Sequence, residues 1–297
     1  MRTGPELLER TAARAPARAA FRIFGLFRRK PLGLVSLAWI LGLIVLAFWA
    51  ELVAPYGYDD FDIGRRLQGP SRDHPFGTDD QGRDVLSRVL FGARTTVVVG
   101  FSALAISVSL AAAVGVASGY IGGYVDLFIQ RLVFICLAFP GLIFVIFVIS
   151  IFGNSPATII LTVGFFFSFS MSRVVRAAVL TVRESPFIEA ARALGAGSLG
   201  IVLRHVLPNV VPVILVVASS QVGSVILLES SLAFLGFGVP PPFPSWGRML
   251  NEAQRFMVGH PHLALFPGLA IASTVFAFNF LGDFLRDVLD PRLRGQP

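Results

Sequence analysis

The stretch Thr95–Ser118 reads TTVVVGFSALAISVSLAAAVGVAS, 24 residues without a charged side chain or a proline. As a helix it rises about 36 Å, enough to cross a hydrocarbon core of ~30 Å. Five further apolar runs of similar length accompany it: Pro31–Ala50, continuing to Ala54 past Glu51, then Leu132–Phe152, Ser155–Ser172, Asn209–Leu228 and Leu263–Gly282. With 55% hydrophobic and 14% charged residues and a mean hydropathy of +0.74, the 297-residue chain lacks the polar residues to cover a soluble surface. The expectation is an all-α membrane protein with six transmembrane helices. Gly, Ser and Ala recur inside the runs, as in Ala111-Ala112-Ala113 and Ser219-Ser220, which suits close helix packing in lipid.

The same figures exclude other classes. High apolar content with little charge is the reverse of a disordered chain. The single cysteine, Cys136, excludes an intrachain disulfide framework and a cysteine-built zinc site, and reads as an inert buried thiol. The net charge of +7 invites a nucleic-acid reading, but 24 of the 25 basic residues are arginine and many flank apolar runs. That is the pattern of membrane orientation and gives no nucleic-acid partner. The first run follows Arg28-Arg29-Lys30 like a signal peptide, yet it is too long for one and lacks a clear cleavage site, so it reads as a retained span.

Orientation follows from arginine and lysine. With the N-terminus inside, the inner segments 1–30, 119–131, 173–208 and 283–297 hold 17 basic residues against 8 outside. Both termini are therefore expected in the cytoplasm, with Arg131, Arg173 and Arg176 serving orientation and snorkelling. This divides the chain into a cytoplasmic tail (1–30), the first transmembrane helix (31–54), an external segment (55–94), a five-helix core (95–282) and a cytoplasmic tail (283–297). In the external segment, Thr78-Asp79-Asp80-Gln81 resembles a capping box. Val85, Leu86, Val89 and Leu90 then form an apolar stripe opposite Arg83, Asp84, Ser87 and Arg88, which predicts an amphipathic helix at the outer interface. It could pack on the spans or receive a partner.

The inner segment 173–208 carries the most information. Ser185-Pro186 reads as a helix start, serine at the N-cap and proline at the first helical position. Phe187–Leu194 continues the helix, and Gly195 is placed to end it with a positive φ. Ser198 can cap a second short helix ending before Pro208. So few residues cannot fold alone, and their apolar positions must pack on the spans or on another protein.

The spacing Glu189-Ala190-Ala191, three residues, Gly195, nine residues, then His205-Val206-Leu207-Pro208 resembles the EAA signature of ABC importer permeases, with His205 where the pattern has isoleucine. Further stretches resemble the dipeptide/oligopeptide/nickel permeases: His74–Asp79, Gly82–Arg88, Gly92-Ala93-Arg94, Gly122–Asp126, Ala138-Phe139-Pro140, Phe234–Gly238, Pro244–Gly247 and Asp290-Pro291-Arg292. Phe134 departs from that pattern, where an aspartate is usual. The resemblance implies a type I importer permease whose residues Pro186, Phe187, Glu189, Ala190, Ala191, Leu194, Gly195, Leu207 and Pro208 couple to an ATPase. It also implies a second homologous permease, two ABC ATPase subunits that bind ATP and Mg, an external solute-binding protein, and a prokaryotic inner membrane. The substrates implied are di- or oligopeptides or related small solutes, and this chain itself carries no cofactor.

Two outer residues are candidates for contact. Glu229, near the outer end of the fifth run, reads either as a translocation contact or as an interfacial glutamate reaching water. Trp246 ends the proline-rich stretch Gly236–Trp246, which reads as a stiff loop that either touches a delivery protein or is passive. Enzyme parts are missing. The only lysine is Lys30, so there is no P-loop, no H-E-x-x-H occurs, and His260-Pro261-His262 lacks a third metal ligand nearby. A secondary transporter or channel is the alternative, though such proteins place charged coupling residues within spans.

Overall fold

In the computed structural model, residues 31–289 are described. The N-terminal tail 1–30 and Asp290-Pro291-Arg292 lie outside them. Nine helices and one short 3-10 turn (Ile63–Arg65) are present among the described residues, and no β-strand longer than the single Thr78–Asp84 bridge. We number them α1 (Pro31–Val53), α2 (Val85–Ile121), α3 (Gly123–Ala138), α4 (Gly141–Phe152), α5 (Pro156–Arg183), α6 (Pro186–Ala193), α7 (Ser198–Phe234), α8 (Trp246–Ala253) and α9 (His262–Leu289).

Five of these helices, α1, α2, α5, α7 and α9, are long and apolar enough to cross a membrane. The third expected span is not one helix. Pro140 cannot donate a backbone N–H and forces Phe139 into extended geometry, so Leu132–Phe152 divides into α3 and α4, bent by 91°. The packing of α2 on α5 nevertheless requires the pair to cross. A Cβ at Gly164, near the start of α5, would lie 2.7 Å from Ala103 O, and one at Gly119, at the end of α2, would lie 2.9 Å from Val179. The two helices therefore run parallel, and α3–α4 returns the chain across the bilayer between them. With the bent pair counted once, there are six crossings.

The remaining registers alternate. Gly100 of α2 meets Ile226 of α7, Gly282 of α9 meets Ser220 of α7, and Gly33 of α1 meets Phe284 of α9. Each of these pairs is antiparallel, so Pro31 and Leu289 lie on one face of the bundle, together with α6. Lipid provides no hydrophobic drive for helix association, and backbones approach closely only where side chains are small. Gly115 against Ser172 O, at 2.7 Å from a virtual Cβ, shows how close α2 and α5 come. Three apolar clusters fill the bundle: one around Trp246, Ile226 and Phe278, one around Met171, Ile188 and Val206, and one around Val99, Ile149 and Leu232.

Two expected features take a different form. The helix expected to start at Thr78 starts at Val85, capped by Asp84, whose Oδ2 accepts from Ser87 N at 2.8 Å. Residues 78–84 form a turn instead, in which Gly82 (φ 77°) passes so close to Asp62 O that no Cβ would fit. Moreover, this helix is the first part of α2, not a separate interfacial element. Its polar face is buried: Asp84, Ser87 and Arg88 are each no more than 2% exposed. The short helix expected after Ser198 is likewise continuous with the next span. Gly197, not Ser198, is its N-cap, and a π turn at Val202–Val206 carries it past Pro208.

Candidate functional site

On the face shared by the two described ends, α6 stands between α5 and α7. Proline occupies its first position, and Ser185 sits at the N-cap with extended backbone. The serine hydroxyl does not cap the helix but donates to Thr181 O at 3.3 Å. At the other end Gly195 has φ 83°, Gly195 N donates to Arg192 O and Ala196 N donates to Ala191 O. This is the paired closure that a left-handed residue provides, and a Cβ at Gly195 would meet open space, so the need for glycine is conformational.

Only Ile188 of α6 is buried, fully enclosed with Val179 of α5 and Val206 of α7. Phe187, Glu189, Ala190 and Leu194 are exposed and Ala191 is half-buried against the same cluster. Glu189 lies in the first turn, where negative charge complements the helix dipole, and Arg192 in the last. Pro186 to Gly195 thus form one projecting knob rooted by a single isoleucine. Leu207 and Pro208 are set apart on α7 beyond the π turn, the first half-buried and the second exposed.

A polar cluster braces the spans beside this knob. Arg176 Nε of α5 donates to Asp126 Oδ1 of α3 at 2.6 Å, and its Nη2 donates to the second carboxylate oxygen. Ser118 of α2 bonds to the same carboxylate and accepts from Gln130 Nε2 at 2.9 Å. Arg176 is thereby a bidentate partner and not a snorkelling residue. Arg183 donates to Gly119 O at 3.2 Å, and the Arg192 guanidinium lies 5.9 Å from the Tyr120 ring centroid. Phe134 is 66% exposed.

At the opposite face, Glu229 does not reach water. It is 1% exposed, its Oε2 has only a 3.5 Å contact with Ser230 Oγ, and its Oε1 has no partner. Trp246 is no surface contact either. It is 2% exposed, opens α8, donates from Nε1 to Val89 O at 2.8 Å, and fills the space left by Gly92. Helix α8 was not expected from the sequence, although Ser245 at its N-cap, accepting from Arg248 N at 3.4 Å, is an ordinary start signal.

Glu252 of α8 joins a buried charge network with the segment 55–94. Arg88 pairs with Asp79 and, at 3.0 Å, with Glu252, and Arg83 pairs with both acids at 2.7 and 3.3 Å. Burial pushes the Asp79 carboxyl up, but Arg88, Arg83 and the backbone N–H groups of Arg83 and Gln81 hold it below its ordinary value. Burial opposes Glu252 in the same way, and Arg88, Arg248 and Arg83 hold it down. His74 Nδ1 meets Asp84 Oδ1 at 2.9 Å in the same layer. Among the described residues no three His, Cys, Asp or Glu side chains gather where a metal ion could bind.

Residues 83–295 match the family described as binding-protein-dependent transport system inner membrane components, and residues 20–70 match the N-terminal transmembrane domain of oligopeptide transport permease C. The glutathione transport system permease protein GsiD of Pectobacterium atrosepticum is 40% identical over 269 residues, 90% of this chain and 89% of that protein. GsiD of Escherichia coli and of Shigella boydii are each 42% identical over 270 residues, 91% of this chain and 89% of theirs. With a family match spanning most of the chain and relatives similar along nearly all of it, this multi-pass inner-membrane protein belongs to the binding-protein-dependent transport family, as an ABC importer permease of the dipeptide/oligopeptide type.

Proposed function

We propose that this chain forms half of a translocation pathway for di- or oligopeptides or related small solutes, and that α6 is its joint with an ATPase subunit. The supporting observation is the form of α6: an exposed helix closed by Gly195, with one root, Ile188, set among α5 and α7. A projection of that kind fits a cleft in another protein, and a force applied to it passes through Ile188 into two spans. Small side chains at Ala190 and Ala191 allow close approach, while Phe187, Glu189 and Leu194 present apolar and charged contacts. Leu207 and Pro208 would act at one remove, by shaping α7 just beyond its π turn.

In this reading a second homologous permease completes the pathway, and two ABC ATPase subunits supply ATP and Mg chemistry that this chain lacks. An external solute-binding protein delivers the solute. Closure of the ATPases moves α6 as a rigid lever and reorients the spans between inward-open and outward-open arrangements. The excess of arginine on the α6 face supports assigning that face, and both termini, to the cytoplasm. The names of the GsiD relatives support a small peptide as solute.

The test is purification of the tagged chain from gently solubilised membranes, with its companions identified by mass spectrometry. ATPase subunits that co-purify, and are lost when Glu189 and Gly195 are both changed, support the reading. A chain that transports solute while purifying alone would replace it with a secondary transporter or channel.

A further inference from the structure

The geometry points to a hinge inside α7, at Val202–Pro212, that lets the inner end of this span bend with α6 while its outer part stays fixed. This rests on the coupling role proposed for α6. Three features coincide there. First, Val202–Val206 is a π turn, with Leu207 N bonded to Val202 O, so the helix holds one residue more than an α-helix would over the same rise. Second, Pro208 and Pro212 follow one turn apart. Each lacks the N–H that would bond four residues back and sets its ring against that carbonyl, which weakens the helix on two successive turns. Asn209 Nδ2 donates to His205 O at 2.7 Å, so a side chain serves a carbonyl within the weakened stretch.

Third, the packing changes character at this stretch. Ile201, Val206, Val210 and Ile214 are buried in the cluster that encloses Ile188 of α6. From Val222 outward, α7 has no part in that cluster and packs on α2, α8 and α9 through Ile226, Leu232 and the close approaches at Gly100, Gly223 and Gly247. The inner segment therefore shares a core with the lever, together with Ala111 of α2 and Met171, Val175 and Val179 of α5, and the outer segment packs away from the lever. A helix tied to the lever at only one end bends where its ladder is weakest.

The experiment uses the assembled importer in lipid nanodiscs, with Cys136→Ala and spin labels at the exposed positions Leu199 and Leu227. The separation of the labels is measured without nucleotide and with ATP trapped. A hinge predicts a change of about 2 Å or more between the two states. Two variants then remove it: deletion of Leu203, an exposed residue of the π turn, which restores an α-helical ladder without rotating either flank, and Pro208→Ala/Pro212→Ala. Each is expected to abolish the distance change and to lower solute transported per ATP hydrolysed about fivefold or more, with the ATPases still bound. An unchanged distance in the unmodified importer overturns the hinge, as does normal transport per ATP in an assembled variant. Because the labels report only on α7, the hinge can fail while loss of ATPases from the Glu189/Gly195 variant still upholds the coupling role, and the reverse.

Discussion

Arg176 and Asp126 stand 50 residues apart in sequence and share two hydrogen bonds, one of 2.6 Å, that fasten α3 to α5 beside the projecting helix. The same carboxylate takes Ser118 from α2, so one acid collects three helices. Planar guanidinium-to-carboxylate pairing of this kind is directional as well as attractive. A double-mutant cycle with Asp126→Asn and Arg176→Met is expected to give a coupling of about 1–3 kcal/mol in detergent unfolding. Additive effects would show that the pair contributes no mutual stabilisation.

Trp246 is the anchor of the face opposite α6. Trp246→Ala removes its bond to Val89 O and empties the space beside Gly92, and is expected to cost about 3–5 kcal/mol. Gly92→Val should destabilise by the opposite route, because a Cβ there would sit 2.8 Å from Trp246 Cδ1. Thermal unfolding of the purified chain checks both, and a melting temperature unchanged in both variants would refute the anchor.

The acids of the charge network set a pH limit. Asp79 and Glu252 both titrate below their ordinary values when folded. Such groups contribute stability above their unfolded values, and this is lost as pH falls through the folded ones. Amide exchange in residues 62–90 should therefore be flat from pH 7 to about 5, after correction for the intrinsic pH dependence of exchange, and rise below about 4. Protection that increases on acidification would contradict the network.

Gly195 has an unobstructed but left-handed position. Gly195→Val should cost about 1–2 kcal/mol locally and misdirect the chain leaving α6, without disturbing the spans. Insertion and folding are expected to survive while transport per ATP falls. Uptake at the normal level would remove α6 from the coupling role.

Glu229 leaves a buried oxygen without a partner. An apolar side chain of similar size removes that penalty, so Glu229→Leu should match or exceed the parent in thermal stability, by up to about 1–3 kcal/mol. If the carboxyl also meets the solute during the cycle, transport falls while stability rises. Reduced stability would show that the carboxyl has a partner in the assembled importer.

The spans and the projecting helix were legible in the sequence because their signals are local. A charge-free run of twenty residues and a proline–glycine pair around eight helical positions need no knowledge of neighbours. The span ends were not legible, because the reading stopped at charges such as Arg94, whereas a helix continues wherever its charges find partners, as Arg88 does. The burial of Arg88, Glu229 and Trp246 depends on residues far away in the chain. So does the Asp126–Arg176 pair, since neither residue reveals from its own surroundings that the other lies opposite. Pro140 was a visible break, and the length of the apolar run around it hid the bend.

The charge network around Glu252 also fixes an order of events during synthesis. Arg83 and Glu252 are 169 residues apart, so at about 5–20 residues per second the arginine is made roughly 8–34 s before its second partner. Throughout that interval Asp79, four positions away, is the only acid of the network already made. Until then Arg83 and Arg88 have one carboxylate to share, and the network closes only when the chain reaches α8.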